Sequence, residues 1–265
     1  MERKTGNWKV LCTECYNEPI SHKTEVMKEM IFRDKYPFIE PDIEANKRFI
    51  QNNELFLGLL HLKEFKEPII EIGCGTGKYL KLLEMSGKKK IVGIDISKNE
   101  IGIAKKYLKY SKLEQGNALG SRFKHNSFEI VMCCGVAHHT PSPRGVFNEC
   151  VRICKYNGRI VFAIYRKHSL YYWDYLLFNR IVKLIFKMKI EKIFYPLLKL
   201  WFLFLDGNWA DNKLLLSKTS DRYLTPVVKF FSEEDILWWI IENDLKLITK
   251  SSICRDSVMT FLIEK

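Results

Sequence analysis

The sequence has no apolar stretch long enough to cross a membrane: nowhere do about 18 uncharged hydrophobic residues follow one another, although 47% of the 265 residues are hydrophobic. Nor does the N-terminal stretch Met1–Trp8, with Glu2, Arg3 and Lys4 in it, hold the apolar core of a secretion signal. The eight cysteines lack the spacing of a disulfide framework, and Cys133 and Cys134 are adjacent. These absences lead to the expectation of a soluble protein of the reducing cytoplasm. Acidic residues are also short. The 31 Asp and Glu against 43 Lys and Arg leave a net charge of +12, which suits an anionic partner, RNA or a membrane surface, without choosing between them. The length fits one α/β domain with additions.

Two nucleotide signatures are missing from the stretch where they would be sought. Residues 69–80, Ile-Ile-Glu-Ile-Gly-Cys-Gly-Thr-Gly-Lys-Tyr-Leu, read as a buried strand, a tight turn and the start of a helix. Ile69, Ile70 and Ile72 form the β-branched run of a strand covered on both faces. Gly73, Gly75 and Gly77 let the backbone turn sharply and leave room for a ligand at the N–H groups of a helix over Lys78–Met85. A P-loop would need Gly where Ile72 stands and Ser or Thr where Tyr79 stands. A dinucleotide fingerprint would need Gly in place of Lys78 or Leu80.

The next elements alternate. Ile91–Asp95 is a second buried strand, and its terminal carboxylate can accept hydrogen bonds from both ribose hydroxyls of a nucleoside held on the first turn. Ser97 is better placed than Asp95 to cap the helix expected over Lys98–Tyr110. Leu113–Gln115 reads as a third strand with a loop at Gly116–Leu119, and Ser127–Val136 as a fourth with its exit. In the segment Ala137-His138-His139-Thr140-Pro141-Ser142-Pro143 the prolines cannot extend a strand, so the histidines are held in a loop. A helix over Arg144–Cys154 and a strand over Arg159–Tyr165 follow. This order predicts a doubly wound parallel sheet, whose ligands bind at the carboxyl ends of the strands. Near the C-terminus, Ser232 precedes a helix with Glu233, Glu234 and Asp235 in its first turn. Strands over Leu245–Ile253 and Ser257–Ile263 then form a hairpin.

The pattern Glu71-x-Gly73-x-Gly75-x-Gly77, with Asp95 and the histidine-proline loop downstream, resembles the class I S-adenosylmethionine-dependent methyltransferases, in the broad group that includes quinone-biosynthesis and other small-molecule enzymes. The likeness covers residues 69–166 by motif and 230–265 by element order. It implies an α/β fold with a doubly wound, mostly parallel seven-stranded sheet, and S-adenosyl-L-methionine as methyl donor. It places Gly73, Gly75 and Gly77 against the methionine and sugar parts, Asp95 at the ribose, Asn117 and Ala118 at the adenine, and Glu71 at the loop or the cofactor's amino group. Cys74, Ile96 and Cys134 complete the expected cofactor set. Asn117 stands where the family usually has Asp, and accepts without charge. His138 and His139 are candidate general bases for an acceptor hydroxyl or acidic carbon; the alternative is that their loop only shapes the pocket.

Four segments follow: an N-terminal helical cover over 1–66, helical from about Asp42 to Phe65; a cofactor-binding core over 67–166; a helical insertion over 167–229; and a C-terminal helix and hairpin over 230–265. The insertion departs most from the family's shortest members. Arg180, Lys183 and Lys187 form one helical stripe between Tyr175 and Met188, with Leu176, Leu177, Ile181, Leu184, Ile185 and Met188 on the other face. The 194–205 run adds Phe194, Tyr195, Trp201, Phe202 and Phe204. Such a segment suits a lid over a hydrophobic or lipid-like acceptor, a peripheral membrane contact through 175–205, or both. The alternatives are a tRNA-modifying methyltransferase, which the charge favours, and a non-catalytic cofactor-binding partner subunit. Cys12-x-x-Cys15 with His22 could begin a zinc site but lacks a second pair, so no metal is expected.

Overall fold

The computed structural model describes residues 20–36, 66–206, 211–253 and 256–265. The expected helix over Asp42–Phe65 and the pair Cys12 and Cys15 lie outside the described residues. The chain begins, as described, with α1 (Ile20–Lys35), which the polar appearance of this region did not announce.

The core is a sheet of seven strands: β1 (Ile69–Ile72), β2 (Ile91–Asp95), β3 (Lys112–Gln115), β4 (Phe128–Cys134), β5 (Cys154–Tyr165), β6 (Lys246–Ile253) and β7 (Val258–Glu264), in the order β3-β2-β1-β4-β5-β7-β6. The first five run parallel; β7 is antiparallel to β5 and to β6. The isoleucines of β1 are fully buried because helices cover both faces of this central strand, and burying such a side chain contributes roughly 1.5–3 kcal/mol. The chain winds outward from β1 to β2 and β3, then returns to β4 and β5. The reversal falls between β1 and β4, and there the crossovers diverge and leave a crevice beyond the strand ends.

The helices between the strands are α2 (Lys78–Met85), α3 (Lys98–Ala104) and α4 (Pro143–Ile153); α8 (Glu233–Glu242) precedes the hairpin. Ser97, Ser142 and Ser232 cap α3, α4 and α8 through their hydroxyls. In α8, Asp235 reciprocates to complete a capping box. The helix expected over Lys98–Tyr110 stops at Ala104. The cause is remote in sequence: the Glu84 carboxylate accepts from the N–H groups of Lys109, Tyr110 and Ser111, with distances of 2.8–3.1 Å, so the chain is pulled out of the helix toward α2.

The insertion forms α5 (Leu170–Lys187), α6 (Glu191–Asp206), α7 (Asn212–Thr219) and a π-helical turn over Ser220–Leu224. Val182, Phe202, Leu215 and Tyr223 make its small core. Buried Asp174 ties three parts of it together. It accepts from Trp201 Nε1 at 3.0 Å, from the Tyr223 hydroxyl at 2.8 Å and from Arg222 Nε at 2.5 Å. No helix among the described residues is long and apolar enough to cross a membrane.

Candidate functional site

The turn after β1 is built by positive φ. Gly73, Gly75 and Gly77 adopt φ of 70°, 52° and 82°, values that side chains resist. At Gly73 a Cβ would also fall 2.2 Å from Val136 Cγ2. The loop is anchored to the neighbouring strand: Gly73 N–H and Cys74 N–H donate to the Ile94 carbonyl at 2.7 and 2.9 Å. Gly75 N–H donates to Asp95 Oδ2 at 2.8 Å and Ser97 N–H to Asp95 Oδ1 at 2.8 Å. Asp95 therefore holds the glycine turn, and each oxygen keeps one further lone pair for a ligand.

Above the strand ends lies a cavity of about 970 Å³, at the upper end of the range for ligand sites. Its floor is Glu71, Gly73, Cys74, Gly75, Asp95, Ile96, Asn117, Ala118 and Cys134, with His139 and Tyr165 toward one side. All the expected cofactor-side residues except Gly77 thus share one wall. Gly77 instead is the N-cap residue of α2, where a Cβ would fall 2.6 Å from Leu108 Cδ1. Asn117 is buried, with Oδ1 accepting from Leu119 N–H at 3.0 Å, so its amide shapes the loop while retaining acceptor capacity.

Acidic groups are concentrated at the floor. Glu71 is 1% exposed and its Oε2 has no hydrogen-bond partner among the described residues. Burial, reinforced by the charges of Asp95 and Cys133, holds its pKa well above the ordinary value, against a hydrogen bond from the Leu80 backbone. Asp95 is pushed up by burial too, against the hydrogen bonds from Ser97 and Gly75. Burial also raises the thiols of Cys74 and Cys134 well above their usual range, so neither is a ready thiolate.

The histidines separate. His138 is fully buried and absent from the cavity wall. Its Nδ1 accepts from Tyr165 N–H at 3.3 Å, its ring stacks on Tyr165 at 3.5 Å, and Nε2 has no hydrogen-bond partner among the described residues. Burial, then the charges of His139 and Arg33, lower its pKa well below the ordinary value. The two candidate bases fall in different places: the 3₁₀ turn over Ala137–His139 leaves His139 at the cavity, while His138 is not among its lining residues. His139 Nδ1 lies 2.9 Å from the Val227 carbonyl, which can only accept. This assigns the proton to Nδ1 and leaves Nε2 an acceptor. Burial and then Arg33 lower its pKa to about 4, against Asp221 and the Val227 carbonyl.

The roof was not legible in the sequence. Val26, Glu29 and Arg33 of α1 line the cavity, as do Lys213, Leu214, Ser217 and Lys218 of α7 and Asp221 of the π turn. Buried Arg33 bridges the two roof elements, 2.8 Å from Glu29 Oε1 and 2.8 Å from Asp221 Oδ1. Burial works against the Arg33 charge, but Asp221 and Glu29 more than offset it and hold its pKa above the ordinary value. Burial raises Glu29 to about 6 despite Arg33. Asp34 fastens α1 to α3 by accepting from Ser97 Oγ at 2.7 Å. The (i, i+4) pair Glu29 and Arg33 was the available signal, but such a pair more often lies on a solvated face. The insertion reaches the cavity through α7 and the π turn; α5 and α6, its most apolar helices, supply no wall residue.

The glycine turn, the acid at the tip of β2 and the 3-2-1-4-5-7-6 sheet agree with the fold that the sequence resemblance implies. Residues 70–162 match the family described as methyltransferase domain, in keeping with the resemblance of the glycine turn and Asp95 to the class I S-adenosylmethionine-dependent methyltransferases. It is 35% identical over 161 residues to demethylmenaquinone methyltransferase of Lactococcus lactis, covering 56% of this chain and 62% of that one. It is 26% identical over 102 residues to ubiquinone biosynthesis O-methyltransferase of Azoarcus sp., covering 37% and 43%. The chain thus spans between 43% and 62% of the length of these relatives. Among solved structures, magnesium protoporphyrin IX methyltransferase of Synechocystis with bound SAH shares the fold, at a TM-score of 0.52 and 13% identity over 92% of this chain and 95% of that one.

Proposed function

We propose that the protein transfers the methyl group of S-adenosylmethionine to a small hydrophobic, lipid-like acceptor. The observation that carries the first half is the surplus of buried carboxyl groups at the cavity floor. Both Glu71 and Asp95 are buried there with no ion pair found among the described residues, although the Arg33 charge acts on Asp95, and Glu71 presents an oxygen unpartnered among those residues. A desolvated carboxyl of this kind calls for a cationic ligand. The positive charges of S-adenosylmethionine fit that demand, and the glycine turn leaves the close approach they require. When bound, the cofactor supplies a methyl group already activated on a sulfonium.

The chain's own residues then have the following parts. Glu71 holds the ligand's amino group, Asp95 the ribose hydroxyls while bracing Gly75, and Asn117 and Ala118 the adenine; Ile96, Cys74 and Cys134 pack around them. Arg33 draws α1 and the π turn together over the cavity and excludes water. His139 is the acceptor-side candidate. With a pKa of about 4 it is neutral near pH 7, so Nε2 orients an acceptor hydroxyl by accepting its hydrogen bond more readily than it removes the proton.

The second half, a hydrophobic acceptor, is supported by Leu214, Tyr165, Val258 and Ala163 in the cavity wall and by the names of the relatives, which concern quinones. Peripheral contact of the insertion with a membrane is part of the same reading, since such acceptors reside in bilayers. The test is calorimetric binding of S-adenosylmethionine, followed by transfer of its labelled methyl group to quinols and phenols of graded chain length. Transfer that improves with chain length supports the reading, and binding without transfer to any apolar acceptor refutes its second half.

A further inference from the structure

The helices α5 and α6 share an inner core but expose their outer apolar faces. On α5, Trp173, Leu177, Ile181 and Leu184 follow at helical spacing with Met188 at its C-cap, Leu177 being 65% and Leu184 56% exposed. On α6, Ile193, Leu197, Leu200 and Phe204 do the same, with Ile193 73% and Leu197 64% exposed. Each of these large side chains is more than half exposed, and clustered exposed apolar side chains of this kind mark interaction surfaces. The charge around them has one dominant sign: residues 170–206 hold Arg180, Lys183, Lys187, Lys189, Lys192 and Lys199 against Asp174, Glu191 and Asp206, and Asp174 is taken up inside by Arg222 and Tyr223.

Beside the α6 stripe lies a groove of about 680 Å³ lined by Lys192, Tyr195, Pro196, Lys199, Leu200 and Asn212. Lys192 and Lys199 are seven residues apart and so lie on one side of the helix. Asn212 in this groove lies between Asp211 and Lys213, which line the main cavity. An apolar face rimmed by lysines fits a bilayer with anionic headgroups, the apolar side chains entering the acyl boundary and the lysines meeting phosphates.

We propose that α5 and α6 dock the protein on an anionic lipid bilayer, with a lipid phosphate seated in the groove between Lys192 and Lys199. The end of α7 then brings the cavity to the membrane surface. That last step rests on the hydrophobic-acceptor reading above; the docking itself does not.

The experiment is co-sedimentation of the full chain, without cofactor or acceptor, with phosphatidylcholine vesicles either pure or carrying phosphatidylglycerol. The expected result is binding to the anionic vesicles that weakens with salt. Lys192→Gln and Lys199→Gln should each weaken it by roughly fivefold, and Leu184→Asp with Leu197→Asp should abolish it. These side chains lie on the exposed faces, so thermal melting should be unchanged, and the lysine variants carry the test if the aspartate pair misfolds. Absence of binding, equal binding to neutral vesicles, full release by millimolar inorganic phosphate, or a solution dimer dissolved by Leu184→Asp would each overturn the proposal. Because S-adenosylmethionine binding is measured separately, failure here and failure of the methyl-transfer reading are distinguishable.

Discussion

Replacing Glu71 by Gln should weaken the cofactor and strengthen the free protein. The carboxyl is buried, lacks a partner at Oε2 and has a raised pKa. Because the folded-state value lies above the unfolded one, its stabilising contribution is complete below about pH 4.5 and is lost as pH rises through the elevated value. Gln removes that loss, so the unliganded variant should melt at or above the wild-type temperature at pH 8. Binding runs the other way. A cationic ligand favours the ionised carboxyl, so wild-type affinity should rise with pH, by up to tenfold per unit below the free-state pKa, with proton release. Losing one charge-assisted hydrogen bond costs about 1.5–3 kcal/mol, so the variant should bind roughly ten- to a hundredfold more weakly at pH 8, with a smaller gap at pH 6. Calorimetry in two buffers of different ionisation enthalpy reads both the affinity and the proton count. Equal affinity at pH 8, or a wild-type affinity that does not change with pH, would refute the reasoning.

Other expectations are as direct. Gly73→Ala combines a left-handed backbone with a Cβ 2.2 Å from Val136, at a cost of about 2–5 kcal/mol visible in chemical denaturation. Arg33→Met strands Glu29 and Asp221 under the roof and should cost about 3–5 kcal/mol; adding Glu29→Leu should restore part of that. Glu29, raised to about 6, gives wild-type stability a component that is full below its ordinary pKa and falls as pH passes 6; Glu29→Gln should flatten that part of the melting profile. His139→Ala should lower the rate of transfer to a hydroxyl acceptor without changing cofactor affinity, whereas His138→Ala should show mainly as lost stability, since its ring fills space against Tyr165.

The floor of the site and the glycine turn leading into α2 were legible because their signals are local. Gly73, Gly75 and Gly77 are required by backbone geometry, Asp95 by its place at the tip of β2, and the sheet by alternating elements whose caps, such as Ser97 and Ser232, are written in the sequence. The roof was not, because it depends on contacts between distant segments: Arg33 meets Asp221, and Asp34 meets Ser97. The early end of α3 has the same origin, since Glu84 captures the N–H groups of residues 109–111. The apolar stripes of α5 and α6 were visible as stripes, but periodicity says only that a face is apolar. Whether it turns inward or outward is decided by the inner cluster around Asp174, Phe202 and Tyr223.

The most direct test of methyl transfer to a hydrophobic acceptor is to incubate the protein with methyl-labelled S-adenosylmethionine and a cell extract, then separate lipid, RNA, protein and small-molecule fractions, with Asp95→Ala in parallel. The account predicts label in the lipid or apolar small-molecule fraction that disappears in the variant. Label in RNA, or binding of the cofactor with no labelled product in any fraction, would contradict it.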